Sequence, residues 1–357
     1  MPDLSIQCRL AISTIVPRSL YNLHKEPVRR PGDDVFETVR IGTRGSKLSL
    51  WQANHVADLI RDCHGDRPVE FKIYRTRGDE NQKAALPSIG GKGVFTEALE
   101  KALRRREIDF AVHSLKDLPV ENADGLAIGA TPKRGDHRDV LVSRSGCTLA
   151  QLPTGARLGT GSLRRRAQLL ALRPDLQMVD IRGNVPTRIG KLLADDGPYD
   201  AIVLAAAGLN RLGLTEHISE ILDLKQMLSA AGQGALAIQC RDEGASLAFL
   251  ARLADLQTAH ATAAERAFLH ALGGGCALPV GAYAYVEDDT LFMLGRVTSL
   301  DGSHQIDVAG ETNAVAGPRA VAAARKLGTR LAQNTLEKGA RQILDGIAPG
   351  AVSAGEE

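Results

Sequence analysis

Residues 39–60 of the 357-residue chain read VRIGTRGSKLSLWQANHVADLI, and this stretch decides which fold is expected. The short apolar run at 39–43 predicts a strand, and Leu48, Trp51 and Leu59 follow at helical spacing. The two patterns meet at Arg44-Gly45-Ser46-Lys47, so a strand is expected to lead directly into a helix over 48–60. That order is the first half of a β-α-β unit.

The same alternation continues along the chain and predicts a mostly parallel sheet with helices on both faces. It restarts after Asp136, so a second α/β unit should face the first across a cleft, where ligands commonly bind. A strand at 235–239 is expected to return to the first unit. The further predicted elements are strands at 71–74, 110–112, 140–142, 178–181 and 201–204 and helices at 95–106, 163–172 and 185–193.

The last hundred residues predict a small α+β domain with a different order of elements. A helix over 262–272 precedes strands at 281–286, 291–298 and 305–310, and an alanine-rich helix over 318–333 should cover them. The strands are joined by turns at Asp288-Asp289 and Asp301-Gly302.

Composition narrows the class of protein. The length indicates two or three domains, and a net charge of +2 with only 4% aromatic residues argues against a nucleic-acid partner. No apolar run approaches the roughly 18 residues of a membrane span, so no membrane partner is expected.

Five cysteines, an odd number without close pairs, indicate reduced thiols. The nine histidines lack metal-binding spacing, so no metal is expected.

Arginines concentrate between Thr160 and Lys191, where seven basic residues stand against two acidic ones in 32 residues. Arg164 and Arg165 open a predicted helix, where cations oppose the helix dipole unless an anion lies there. The alternative is a solvated surface, but such a face normally intersperses Glu. Because a guanidinium binds carboxylate or phosphate with two N–H groups, an anion site is the favoured interpretation.

Three other motifs have a structural and a functional interpretation. Gly90-Gly91-Lys92-Gly93 lacks the spacing of a phosphate-binding loop and is expected to be a glycine loop before a helix. In the run from Asp109 to Pro119, strand alternation would place Asp117 opposite Lys116, either as an acid or base in the cleft or as an ordinary turn residue. Cys276 follows three glycines, where a thiol is either buried or presented as a nucleophile or tether.

Several long motifs in one order resemble the hydroxymethylbilane synthase (porphobilinogen deaminase) family, from about residue 39 to 347. They are RIGTRGSKLSLWQA (40–53), HSLKDLP (113–119), GSLRR (161–165), DIRGN (180–184), AGLNRLG (207–213), GQGA (232–235) and GGGC (273–276). The resemblance implies two α/β lobes like those of periplasmic binding proteins around a cleft, plus a small α+β domain with a three-stranded antiparallel sheet. The implied divisions are a flexible leader (1–36), domain 1 (37–133 and 233–252), domain 2 (134–232) and domain 3 (253–350).

The resemblance also implies an enzyme that condenses four porphobilinogen molecules, with loss of ammonia, on one covalent dipyrromethane cofactor per chain. Asp117 resembles the catalytic aspartate and Cys276 the cysteine that carries the cofactor as a thioether. The other implied cofactor-binding residues are Lys116, Ser114, Arg164, Arg165, Ser162, Arg188, Arg211 and Gln233. The implied substrate-binding residues are Arg44, Ser46, Gln52, Arg182, Asn184 and Phe95.

Elementary chemistry agrees with these implied roles. Each porphobilinogen carries an acetate and a propionate, so a growing chain is a polyanion that needs several arginines. A carboxylate such as Asp117 can assist proton transfer and offset positive charge on a pyrrole, and the Cys276 sulfur is a suitable nucleophile for a tether. The alternatives are a two-lobed protein that only binds a small anion and an RNA-binding protein that uses the arginines.

The resemblance implies a monomer, and the reduced thiols indicate a cytoplasmic location. Residues 1–36 hold more basic than acidic residues and break at Pro31-Gly32. They are expected to be a flexible leader or an over-long start. The alternative is an organelle transit peptide, in which case the location would be the plastid.

Overall fold

The computed structural model describes residues 36–75, 96–274, 278–313 and 318–347. Phe95, Cys276, the glycine–lysine loop and the leader before residue 36 lie outside these ranges. The strands are β1 Val39–Arg44, β2 Val69–Tyr74, β3 Phe110–Ser114, β4 Leu126–Ala130, β5 Asp139–Ser143, β6 Arg157–Gly159, β7 Gln177–Val179, β8 Ala201–Ala205, β9 Glu220–Leu222, β10 Leu236–Arg241, β11 Val280–Glu287, β12 Thr290–Thr298 and β13 Gln305–Asn313. The α-helices are α1 Lys47–His64, α2 Glu97–Arg104, α3 Leu163–Leu172, α4 Val185–Leu193, α5 Ala206–Leu212, α6 Gly244–Leu250, α7 Leu256–Ala271, α8 Pro318–Thr335 and α9 Arg341–Asp345.

The first sheet has five strands in the order β2-β1-β3-β10-β4. Strand β1 runs parallel to β2 and β3, whereas β10 is antiparallel to β3 and β4. Helix α1 begins at its cap Ser46 and buries Ala53, Val56, Ala57 and Ile60, which lie on one face at helical spacing. This face packs in the same core as Ile41 of β1. Strand β10 therefore returns to the first sheet, as the sequence predicted.

The second sheet also has five strands, in the order β7-β6-β8-β5-β9. Strand β6 is parallel to β7 and β8, and β5 is antiparallel to β8 and β9. One core cluster, which contains Leu158 and Leu169, and another, which contains Ile189 and Ile202, pack on this lobe. The predicted pair of α/β lobes is confirmed, although each sheet contains antiparallel strands as well as parallel ones.

Two chain crossings connect the lobes, one between β4 and β5 and one between β9 and β10. They touch where the Gly135 backbone N–H donates to the Gly234 carbonyl oxygen over 3.1 Å. Gly234 has a φ of +85°, and a Cβ atom there would lie 2.6 Å from the Gly135 carbonyl oxygen. Only glycine fits this close approach without strain, so the crossing point depends on that residue.

The third unit consists of the antiparallel sheet β11-β12-β13, covered by α7 and α8. Asp288 and Asp289 have positive φ values of 45° and 58°, which fits a tight two-residue hairpin turn between β11 and β12. The predicted three-stranded antiparallel sheet and its covering helix are confirmed. The residue limits of the three implied domains stay a prediction. None of the helices in the described ranges has the length and apolar character to cross a bilayer.

Candidate active site

The segment after β3 presents the residue implied to be catalytic. Strand β3 ends at Ser114, and Leu115–Asp117 forms one 3₁₀ turn. The strand alternation expected for Lys116 and Asp117 is therefore wrong, because the strand stops before them. Leu115 is buried in the core, whereas the Asp117 side chain is exposed. The turn thus anchors itself through Leu115 and presents Asp117 to solvent.

Lys116 points inward and contacts the chain crossing. Its ammonium donates to the Gln233 side-chain oxygen over 3.1 Å. The amide nitrogen of Gln233 in turn donates to the His137 carbonyl oxygen over 2.7 Å and to the Asp139 carboxylate over 3.0 Å. Gln233 is fully buried. A continuous chain of hydrogen bonds therefore runs from the turn of the first lobe to the first residue of β5 in the second.

Asp139 lies at the centre of the arginine cluster and is fully buried. One of its oxygens accepts from Arg164 Nη1 over 2.7 Å, and the other accepts from Arg165 Nη2 over 2.7 Å and Nε over 3.0 Å. Sequence reasoning did not single out Asp139, because it lies 25 residues before Arg164. Both arginines are buried on this internal carboxylate, and they do not lie on a solvated face.

The site retains positive charge after these contacts. Burial alone would raise the pKa of Asp139, but Arg164 and Arg165 hold that pKa far below its usual range. Burial, aided by Arg165, lowers the pKa of Lys116 to about 8. The Arg164 Nε atom is buried and has no hydrogen-bond partner in the described residues. Such buried donors and cations fit a ligand that brings carboxylates.

Arg188 and Asp117 approach each other from different lobes. Burial, together with the neighbouring charges of Arg165 and Arg182, lowers the pKa of Arg188 to about 10, and Asp117 acts in the opposite direction. Arg188 Nε donates to the Gly183 carbonyl oxygen over 2.8 Å. The predicted residues Asp117, Arg165 and Arg182 therefore all lie close enough to Arg188 to act on its charge.

Three predicted polar residues prove to be helix caps. Ser46, Ser162 and Asn184 precede α1, α3 and α4, and each side-chain oxygen accepts from a backbone N–H in the first turn. The helices α1 and α3 directly follow the carboxyl ends of β1 and β6. Helix N-termini carry partial positive charge, so these caps place polar oxygens and backbone dipoles beside the cations.

Of the remaining described residues, Arg211 contacts both lobes, whereas Gln52 and Arg44 make contacts within the first lobe. Gln52 of α1 is buried and donates to the Ser114 hydroxyl over 2.9 Å. Arg211 donates to the Gly234 carbonyl oxygen over 2.7 Å and lies above the Trp51 ring. Arg44 ends β1 and is close enough to act on the His113 imidazole. Phe95 cannot be placed, because it lies outside the described residues.

The root of the Cys276 loop lies close to the Asp117 turn. Arg266 of α7 donates to the Pro119 and Val120 carbonyl oxygens over 2.7 and 3.0 Å. At the end of α7, a Cβ atom on Gly274 would lie 3.1 Å from the Val120 side chain. Gly274 is the last residue described before Cys276. Gly274 therefore lies beside Val120, which follows Asp117 by three residues in the sequence.

The described residues contain no group of three or more His, Cys, Asp or Glu side chains arranged to hold a metal ion. The chemistry of the cleft is instead that of guanidiniums, one ammonium, amides and hydroxyls. Those donors suit an organic polyanion.

Comparisons with known proteins agree with this chemistry. Residues 39–248 match the family model described as "Porphobilinogen deaminase, dipyromethane cofactor binding domain", and residues 259–337 match the "Porphobilinogen deaminase, C-terminal domain". The porphobilinogen deaminase of Trichlorobacter lovleyi is 46% identical over 312 residues, which are 87% of this chain and 96% of the relative. That of Syntrophomonas wolfei is 47% identical over 310 residues, which are 87% of this chain and 98% of the relative.

Among solved structures, the methionine-binding protein MetQ is similar with a TM-score of 0.38 and 14% identity. The match covers 61% of this chain and 88% of that one.

Proposed function

We propose that this chain, which belongs to the porphobilinogen deaminase family, is a hydroxymethylbilane synthase. The reaction joins four porphobilinogen molecules head to tail, releases one ammonia at each condensation and yields a linear tetrapyrrole. The observation that carries the proposal is that the exposed Asp117 carboxylate of the first lobe lies close enough to the half-buried Arg188 of the second lobe to act on its charge, and that Arg188 in turn lies close to Arg165. This places an acid or base group beside cations that can hold the substrate's carboxylates.

The residues around the cleft fit a dipyrromethane cofactor. When bound, that group supplies the pyrrole carbon to which the first substrate is joined. Lys116, Arg164 and Gln233 would hold its carboxylates, and Arg164 Nε is a buried donor with no hydrogen-bond partner among the described residues. We assign Cys276 as the covalent anchor, supported by the position of Gly274 beside Val120.

Substrate positioning is assigned to the cations nearer the cleft opening. Arg44 and Arg182, with the Ser46 and Asn184 caps, lie at strand ends and helix starts, where an acetate or propionate can be gripped by charge and backbone dipoles together. Gln52 and Phe95 complete the predicted set. Fixing both carboxylates orients the aminomethyl carbon, and orientation alone lowers the barrier of a bimolecular step.

Asp117 is assigned the proton-transfer role. Loss of ammonia from porphobilinogen leaves positive charge on the pyrrole, and a nearby carboxylate stabilises it. The new carbon–carbon bond forms as the attacking pyrrole carbon loses its proton, which a carboxylate can accept. The exposed position of Asp117 keeps it accessible to each incoming substrate.

The proposed protein is a cytoplasmic monomer without a nucleic-acid partner. Cys63, Cys147 and Cys240 are unpaired thiols, which is typical of a reducing compartment. Light scattering on the full chain tests the oligomeric state, and retention of RNA at low salt would argue for the alternative RNA-binding function.

The test of function is turnover by the full chain. Incubation with porphobilinogen should release ammonia and hydroxymethylbilane in a ratio of four to one. Cys276→Ser should abolish or severely impair cofactor attachment and turnover. Cys63→Ser should leave both unchanged, because the Cys63 thiol is partly buried against the core of the first lobe and donates to the Arg252 carbonyl oxygen. Binding of porphobilinogen without ammonia release would favour the anion-binding protein.

A further inference from the structure

Among the described residues of the site, the buried Asp139 makes many contacts but has no role assigned above. Its carboxylate accepts from two guanidiniums and from the Gln233 amide, and its side chain is fully buried. A carboxylate held by that many donors, with a pKa far below its usual range, cannot accept a proton from a substrate. Its role must therefore be exerted through its neighbours.

We propose that Asp139 is a positioning residue that couples the ammonium of the first lobe to the guanidiniums of the second. The proposal rests on the proposed function, because it concerns how the same cleft binds porphobilinogen. It goes beyond that function, because it states that the buried Asp139 carboxylate fixes the distance between Lys116 and the two arginines Arg164 and Arg165.

The geometry supports the coupling. Lys116 belongs to the turn after β3, Gln233 belongs to a crossing segment, and Asp139 begins β5. Each consecutive pair is hydrogen-bonded, at 3.1 Å and 3.0 Å. Rotation of one lobe against the other would break one of these contacts, and each break would strand a buried polar group. The network therefore holds the cations at a fixed separation across the cleft.

The charges explain why the coupling matters for binding. Four cations, Lys116, Arg164, Arg165 and Arg188, interact here with the two carboxylates of Asp117 and Asp139. Asp139 offsets part of the repulsion among buried cations and still leaves an excess of positive charge for ligand carboxylates. Without its charge, the buried cations would repel one another and the first to lose its proton would be the lysine.

The pKa of the Lys116 ammonium can therefore be used to test the proposal, because a purely structural role of Asp139 would not change it. The charged groups that act on Lys116 include Arg164 and Arg165 of α3, Asp139 of β5 and Asp117 of its own turn. Burial and Arg165 lower its pKa to about 8, whereas Asp117 and Asp139 raise it. Neutralising Asp139 should lower the pKa further, so the alkaline loss of kcat/KM should move to lower pH.

The experiment compares the pH profiles of cofactor-loaded wild-type enzyme, Asp139→Asn and a matched control, Asp109→Asn. Asp109 is also a buried carboxylate, but it pairs with Arg40 in the first lobe, away from the cleft. We expect Asp139→Asn to move the alkaline limb of kcat/KM down by about one pH unit and to raise KM about tenfold with a smaller loss of kcat. Asp109→Asn should leave the limb in place.

An unchanged alkaline limb in folded, cofactor-loaded Asp139→Asn would overturn the proposal. If Asp139→Asn does not fold, Gln233→Met is tested in its place. This substitution removes the hydrogen bonds that connect Lys116 to Asp139 and keeps a side chain of similar length. It should move the limb in the same direction, and an unmoved limb would again overturn the proposal. Absence of turnover in the wild-type enzyme would instead refute the proposed function, so the two failures are distinguishable.

Discussion

The guanidinium of Arg211, from the second lobe, lies above the indole ring of Trp51, from the first, with its central carbon 5.5 Å from the ring centroid. The same arginine donates to the Gly234 carbonyl oxygen in the crossing segment. One side chain therefore contacts both lobes and their connection. Trp51 is the only tryptophan in the chain, so its fluorescence reports on this contact.

Arg211→Ala should shift the Trp51 emission maximum to longer wavelength, because removal of the guanidinium exposes more of the indole to water. The indole is already 37% exposed, so the shift should be modest but measurable. Arg105→Ala, at an exposed side chain of the first lobe, serves as the control and should leave emission unchanged. Identical spectra for Arg211→Ala and wild type would contradict the contact.

Glu265→Gln should strongly destabilise the fold. Glu265 is fully buried and pairs with Arg134 at 2.6 Å, while its oxygens also accept from the Gly232 and Ala284 backbone N–H groups. Removing one charge of a buried pair costs about 3 to 5 kcal/mol, measurable as a lower denaturant midpoint.

The matched control for that measurement is Glu243→Gln. Glu243 pairs with the exposed Arg106 and, over 3.4 Å, with Arg241, and its own side chain is 41% exposed. Exposed ion pairs contribute about 0 to 1 kcal/mol, so this variant should unfold almost as the wild type does. Equal destabilisation by the two substitutions would refute the importance assigned to the Arg134–Glu265 pair.

Asp117→Ala should retain the fold and lose most turnover. The Asp117 side chain is exposed, and the turn is anchored by buried Leu115, so stability should change little. Loss of a general acid or base lowers the rate by about 100- to 10,000-fold, measured as product formation at saturating porphobilinogen. Asp124→Ala, an exposed acid a few residues later, is the control. Near-normal turnover in Asp117→Ala would remove Asp117 from the mechanism.

Acid should destabilise the first lobe through His113. Burial, with a smaller effect from Arg44, lowers the pKa of this imidazole to about 4 from 6.5. Between those values the unfolded chain binds the proton and the folded chain does not, so stability falls as pH drops from about 6.5 to about 4. Denaturant midpoints at pH 7 and pH 5 measure the loss.

His113→Gln should reduce that pH dependence, since it removes the titrating group. His304→Gln alters an exposed imidazole and should leave the dependence as it is in the wild type. A wild-type midpoint that stays constant from pH 7 to pH 5 would contradict the buried neutral state of His113.

Much of the fold could be predicted from local patterns. Alternating apolar runs and helical spacing located both lobes, and helix α4 has the same limits, 185–193, in the sequence prediction and in the structure. The short strands β6 and β9 were missed, because three residues each carry too little periodicity to be recognised. The 3₁₀ turn at Lys116 was missed because a strand pattern does not show where backbone pairing ends.

The site could be predicted in part. The arginine-rich segment indicated an anion site, but a count along the sequence could not find the internal acid, since Asp139 is brought to Arg164 by the pairing of β5 with β8. Likewise, Gln233 was implied by resemblance alone, and its bridge between Lys116 and Asp139 depends on how the crossing segment passes between lobes. The composition of a segment therefore predicts its charged side chains, but the pairing of distant strands determines which carboxylate lies against them.

In the proposed function, one chain holds a growing pyrrole oligomer on a single sulfur between two lobes, and intact-mass measurement detects this covalent attachment. Protein from a host that makes porphobilinogen should carry one dipyrromethane adduct on Cys276, and added porphobilinogen should produce a stepwise series of heavier species. A chain of unmodified mass that gains no covalent increments on addition of porphobilinogen would contradict the account.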